Sequence, residues 1–236
     1  MLGFRPRLWP TIIAVPIVLT CLGLGAWQVQ RMEWKRGLIA EREAALALPS
    51  AAPPRTLDEA RRMEFRHVTE EGVFLHDKEI FVGASAGSGR IGYHVLTPLR
   101  EADGRVVFVN RGFIPSQLKD PARRAAGQMT GTVRVTGLLR LPPEGKPGWF
   151  LPDNRPDKNY WFWVDLPAMS AETGLADVAP FYIDADAAPS PGGWPQGGVT
   201  RVVLPNDHLQ YAITWFALAI GMIAVYVVYH RQTGGQ

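Results

Sequence analysis

The sequence predicts a membrane α+β protein: two transmembrane helices at the ends flanking one β-rich, mostly antiparallel extramembrane domain. Two apolar runs and the chain between them predict it. Residues 8–27, "LWPTIIAVPIVLTCLGLGAW", carry no charge, and neither do residues 211–229, "YAITWFALAIGMIAVYVVY". Between the runs, short apolar stretches are separated by Gly, Pro, Asp and Asn, the punctuation of strands and turns. The chain of 236 residues has room for one large or two small domains.

At 1.5 Å per residue each uncharged run reaches roughly 30 Å as a helix, the thickness of a bilayer's hydrocarbon core. Aromatics edge both runs, Trp9 and Trp27 on the first, Tyr211, Tyr226 and Tyr229 on the second, as an interfacial belt requires. A cleaved signal peptide is the rival for the first run, since Arg5 and Arg7 precede it and small residues end it. The run is longer than the usual signal core, and the helical pattern continues past Trp27. Transmembrane helices are therefore expected at residues 8–27 and 207–229. Two spans put both termini on one side. The charges do not choose that side, because Arg31, Lys35 and Arg36 oppose Arg5, Arg7 and Arg231.

Residues 28–48 keep helix-forming composition up to Pro49 and form an expected helical extension of the first span. Trp27, Arg31 and Trp34 share one face of it. That face suits either anchoring among lipid headgroups or docking of a cofactor or another membrane protein. "LPSAAPPR" follows as a linker, and residues 56–204 are the expected β-rich domain. Its strand-like stretches are "HVTEEGVFL", "EIFVG", "YHVLTPL", "RVVFVNRG", "GTVRVTGLLR", "YWFWVD", "FYIDA" and "TRVVLP". "DLPAMSAETG" predicts one short helix that starts near Pro167 and stops at Gly174.

Several function classes lose support here. Net charge is +3 with no basic stripe, so nucleic acid is not an expected partner. The single cysteine, Cys21, forms no intramolecular disulfide. Gly87, Gly89 and Gly92 have GxGxxG spacing, but a strand-like stretch follows where a dinucleotide site needs a helix. A hairpin loop explains them better. Asp153, Asp157, Asp165, Asp184 and Asp186 are scattered and read as turn and surface groups. His67, His76 and His94 read as packed or surface residues. No catalytic motif is present, so the chain is not expected to be an enzyme.

One polar cluster stands out, "PNDHLQYAITWF", on the threshold of the second span. Pro205 stops the helix extending backward, Asn206 or Asp207 can cap it, and Gln210 stands where a capping-box partner of Asp207 belongs. His208 is not explained by capping. On a helix His208, Tyr211, Ala212 and Trp215 share a face, with the small residue between the rings leaving space for a flat ligand. The partial positive charge of a helix N-terminus disfavours the imidazolium, and the neutral ring is the form that coordinates iron. The same charge attracts anionic groups such as haem propionates, with Arg31 or Arg201 as basic helpers. The plain alternative is that His208 reaches out to the lipid headgroups.

Taken together, "LGLGAWQVQRMEWK", "IGYHVLTPL", "VFVNRGFIP", "GLLRLP", "WFLPDNRPDKNYWFWVD" and "NDHLQYAITWF", in that order between two terminal spans, resemble the Surfeit-locus-one family. Phe113 stands where the family pattern has Trp in "NRGWIP", which keeps an aromatic there. The resemblance implies an assembly factor for a haem–copper terminal oxidase (cytochrome c oxidase) that binds haem a and presents it to the catalytic subunit. It implies His208, the family's haem-linked position, as the ligand of haem iron; the helix face then offers Tyr211 and Trp215 to stack on the haem, and Arg31 supplies positive charge for its propionates. The partners it implies are the oxidase catalytic subunit, haem a synthase and membrane lipid. It further implies a bacterial inner membrane, with both termini cytoplasmic and the large loop periplasmic. A cofactor-free membrane scaffold that stabilises an oxidase assembly intermediate is the alternative function. In the β-rich domain, Asn110 and Arg111 are expected to fix a turn at Gly112, and "YWFWVD" either has both faces covered or meets another protein.

Overall fold

The structure, a computed structural model, describes residues 6–85, 89–198 and 204–232. It divides into two units, one made of the two end regions of the chain and the other of Glu43–Arg201.

The first unit is an antiparallel helix pair. Helix α1 runs unbroken over Leu8–Ala47, about 60 Å at 1.5 Å per residue, so it is roughly twice as long as a bilayer core is thick. The chain's last helix covers His208–Gln232. Both are long and apolar enough to cross a membrane. Contacts rise along α1 as they descend the other helix. Thr11 Oγ1 meets the Tyr226 hydroxyl at 2.6 Å, the Gly25 position faces the Phe216 ring, and Gln28 meets His208. The buried positions of α1 are Ala14, Cys21, Gly25, Gln28 and Met32, spaced by seven, four, three and four residues. That spacing is the seam of a left-handed helix pair, and its small residues let the two backbones approach closely. A Cβ added to Gly25 would lie 2.7 Å from the Phe216 ring. Ala212 and Ala219 are buried on the opposite helix. The outward surfaces are oil: Ile12, Ile13, Leu19, Ile213, Leu218 and Ile220 are all exposed, as lipid-facing side chains must be.

The second unit is a curled six-stranded sheet. Its strands are β1 (His67–Phe74), β2 (Ile80–Ser85), β3 (Ile91–Arg100), β4 (Val106–Pro115), β5 (Thr132–Arg140) and β6 (Val178–Ala185). The order is β1-β5-β6-β4-β3-β2, and β1 also touches β3 at Val73 and Phe74, which brings the sheet partly round into a barrel. All pairings are antiparallel except β4 with β6. β4 is buried on both faces. Val107 and Val109 enter a core with Phe181, Ile183 and Leu139, while Val106 and Phe108 enter a second core with Trp161, Leu166 and Met169. A doubly covered strand reads as a continuous apolar run, as "RVVFVN" does.

Two helices decorate the sheet. Helix α2 (Leu57–Arg62), between the linker and the first strand, opens with a capping box between Thr56 and Glu59. Helix α3 (Leu166–Thr173) starts and stops as expected, with Asp165 as N-cap and Gly174 left-handed at φ 62°. The helix of His208–Gln232 is hereafter α4.

Three expectations are corrected. "YWFWVD" is no strand. Asn159 turns left-handed just before it, and the Asn154 side chain accepts the N–H groups of Phe162 (2.8 Å) and Trp163 (3.3 Å) in place of a neighbouring strand. Tyr160 bridges back to Arg155 and Trp161 bridges to Val82 on the edge of β2, and the Trp161 indole is wholly buried. "NRGFIP" does not reverse the chain at Gly112: β4 continues through it with a bulge against β3 and φ 112°, and of the two residues expected to fix the spot Asn110 does bond there, its Oδ1 accepting the Gly112 N–H at 3.0 Å. Asp184 is neither a turn nor a surface group: its buried carboxylate accepts from Asn110 (2.7 Å) and Arg140 (3.1 Å). Gly87 and the first residues of "TRVVLP" lie outside the described residues; Leu204 to Asp207 are irregular. β2 and β3 pair as a hairpin and Gly92 lies in β3, so no helix follows the glycine-spaced segment.

Candidate functional site

α4 begins at His208 itself, where Pro205 and its irregular neighbours leave off. Among the described residues, neither Asp207 nor Gln210 forms the side-chain capping bonds expected of it. Asn206, the other expected cap, donates its amide to the Met32 carbonyl at 3.4 Å and so fastens the approach to α4 onto α1. His208 follows on the same seam. Its Nδ1 lies 2.7 Å from Gln28 Oε1. The ring is half-buried, and Nε2 has no hydrogen-bond partner among the described residues. Nothing in the sequence reading singled out Gln28, which lies 180 positions away along the chain.

The other expected site residues are brought together only in part. Ala212 is 2% exposed, so the space expected between the rings is filled by helix packing. Trp215 is half-buried, whereas Tyr211 is 56% exposed and points away from the seam. A flat ligand held by His208 would therefore lie against the outer flank of the pair, beside Tyr211, and not within it. Arg31 is exposed on the α1 turn between Gln28 and Met32, and its guanidinium stacks 3.8 Å from the Trp34 ring. It makes no contact with His208 among the described residues. Arg201 lies outside them. No group of three or more His, Cys, Asp or Glu side chains suited to a metal ion occurs among the described residues. What the site offers is a single imidazole nitrogen, which matches the donor set of an axial ligand to a macrocycle's metal and not that of a bare ion.

The β unit holds a second polar cluster, whose members lie far apart along the chain. Glu79, just before β2, is buried with two guanidiniums. Arg124 Nη2 stands 2.5 Å from its Oε2, and Arg111 Nη1 stands 3.5 Å from its Oε1. Thr97 and Gln128 donate to Oε1 at 3.3 Å, and His76 Nδ1 lies 3.3 Å from the same oxygen. Burial alone would push the Glu79 carboxyl up. The hydrogen bonds of His76 and Arg124 and the charges of Arg124 and Arg111 outweigh that and hold it at about 2. Burial brings Arg111 down to about 10 against the opposing pull of Glu79. Arg111 also donates to the Gly127 carbonyl, so the cluster ties β4 and the 3-10 segment Pro121–Gly127 to the start of β2. Each charge has a fixed partner, and the arrangement is that of a brace.

Comparison with known proteins points one way. A family model described as the SURF1 family matches residues 15–220, from within the first apolar helix to within the second. A SURF1-like protein of Monosiga brevicollis is 38% identical over 241 residues, covering 97% of this chain and 90% of that protein. Surfeit locus protein 1 of Mus musculus is 41% identical over 217 residues, covering 86% of this chain and 69% of the mouse protein. The Homo sapiens protein of the same name is 37% identical over 224 residues, with 88% and 72% covered.

Proposed function

The chain belongs to the SURF1 family, and from that membership we propose that it is a membrane-anchored assembly factor for a haem–copper terminal oxidase (cytochrome c oxidase) that holds haem a at His208 and presents it to the catalytic subunit. One observation carries the haem reading: a half-buried imidazole at the head of α4, held on one side by Gln28, with Nε2 free of any partner among the described residues. The group, when bound, supplies a Lewis-acidic iron that takes a neutral nitrogen donor. His208 offers that donor. Tyr211 gives an exposed ring beside which a macrocycle can lie, Trp215 supports the flank, and Arg31 supplies positive charge for anionic substituents. A single protein nitrogen suits a carrier, since one bond must break for the cargo to move on. Haem a synthase is the chemical source of the cargo, and membrane lipid covers the apolar flanks of α1 and α4. The bacterial inner membrane is the proposed location, with both termini cytoplasmic and the β unit periplasmic.

The alternative is a scaffold that stabilises an oxidase assembly intermediate and holds no cofactor. The Trp149–Phe150 pair favours it: the ring centroids lie 3.7 Å apart with the planes tilted by 36°, and the two residues are 83% and 80% exposed, a surface that suits a protein contact. Purification of the full chain from cells that make haem a separates the two. Under the carrier reading the wild type shows a haem absorption band, and His208→Ala loses most of it while keeping its folded circular dichroism. A wild type that never carries haem leaves the scaffold.

A further inference from the structure

We propose that Gln28 is a positioning residue for His208: its amide oxygen holds the proton of the neutral ring on Nδ1 and thereby keeps the lone pair on the outward Nε2. The inference rests on the carrier function for its purpose, because an exposed lone pair matters only if a metal is to meet it.

The placement of Gln28 is what calls for an explanation. It is 9% exposed, on a seam otherwise built from Ala14, Cys21, Gly25 and Met32. A buried amide costs free energy unless its hydrogen bonds are met, and an apolar side chain of that size would pack there without the penalty. The hydrogen bond that the structure gives its side chain is the one to His208 Nδ1, at 2.7 Å. A neutral imidazole carries one N–H. With an oxygen opposite Nδ1, that proton sits on Nδ1, and Nε2 becomes the acceptor. Metal-bound histidines almost always hand their second nitrogen's proton to such an oxygen, which fixes both tautomer and ring orientation.

Neighbouring contacts keep the pair in register. The Phe216 ring fills the Gly25 position one turn before Gln28 along α1. The Asn206 amide reaches the Met32 carbonyl one turn after it. Gln28 thus sits between two fixed points of the seam, and α4 cannot slide without losing both.

The test uses the full chain in lipid nanodiscs, free of haem, with 15N-labelled histidine at a pH where the rings are neutral. The His208 signals are assigned by their loss in His208→Ala. Wild type should show a protonated Nδ1 and an unprotonated Nε2. Gln28→Met, which keeps length and helix preference but removes the acceptor, should show a mixture in which Nε2–H gains. In a haem titration the same variant should bind about ten- to a hundredfold more weakly than wild type. A wild-type ring protonated on Nε2, or a Gln28→Met spectrum identical to wild type, overturns the inference. Should Gln28→Met fail to fold, the wild-type spectrum alone decides. A tautomer that follows Gln28 in a protein that never takes up haem would sink the carrier function and leave the positioning role intact.

Discussion

Replacing Glu79 by Gln removes one negative charge from a site where two guanidiniums depend on it. Side-chain exposure there is 2% for Glu79, 1% for Arg124 and 4% for Arg111, so water cannot take over the solvation of either cation. Breaking a buried pair by removing one partner costs about 3–5 kcal/mol. The pKa gives an independent figure. The drop from 4.5 to about 2, at 1.36 kcal/mol per pH unit, is about 3 kcal/mol. The two figures agree, and the second carries a pH signature. A carboxylate with a depressed folded pKa contributes its full stability above 4.5 and loses it as pH falls through 4.5 toward 2. Glu79→Gln should therefore be less stable than wild type by about 3 kcal/mol at pH 7, and the gap should close between pH 4.5 and 2. Other carboxylates titrate in both proteins and cancel in the difference. Urea unfolding of the full chain in detergent, followed by tryptophan fluorescence at pH 7, 4 and 3, measures it. A gap below about 0.5 kcal/mol at pH 7, or one that stays constant down to pH 3, would refute the reasoning.

Gly112 lies in β4 with φ 112°, and a Cβ there would overlap the carbonyl of Gln196, which accepts from Phe113 N–H at 2.9 Å. Gly112→Ala should cost about 2–3 kcal/mol and loosen the Phe113–Gln196 bridge, read as faster amide exchange at Phe113. Trp161 is the largest wholly buried side chain, and Trp161→Ala should lower stability by about 3–5 kcal/mol in the same urea assay; a loss under about 1 kcal/mol would mean that the second core closes without it.

What could be read in the sequence was local. Uncharged runs the length of a bilayer announce themselves, and so does α3, because Asp165, Pro167 and Gly174 are start and stop signals within one helix length. The parallel pairing of β4 with β6 is different. It joins Val109 to Ile183 across a long connection that contains α3, and no periodicity reports it. "YWFWVD" misled because its composition is that of a strand, while what decides its shape is Asn154, whose side chain meets the Phe162 and Trp163 N–H groups from outside the run. Glu79 borders "IFVG" and looks like the wet start of a strand; only the fold brings Arg111 and Arg124 to it.

The candidate site divides along the same line. His208 could be singled out because a titratable ring at the head of a long apolar helix is out of place on local grounds alone. Gln28 could not be tied to it by any local rule, yet a signal was present. Cys21, Gly25, Gln28 and Met32 follow a seven-residue seam, and three of the four are residues a helix interface accepts readily: one small, one a thiol, one flexible and apolar. The fourth is an amide, and a lone amide on an otherwise apolar seam asks for a partner on the facing helix. α4 offers few polar side chains at its start: His208, Gln210, Tyr211 and Thr214. Thr214 bonds back to the Gln210 carbonyl, and Gln210 and Tyr211 are exposed, which leaves His208. The pairing therefore follows by elimination once the seam is known, and the seam is the one thing that requires the antiparallel register of the two helices.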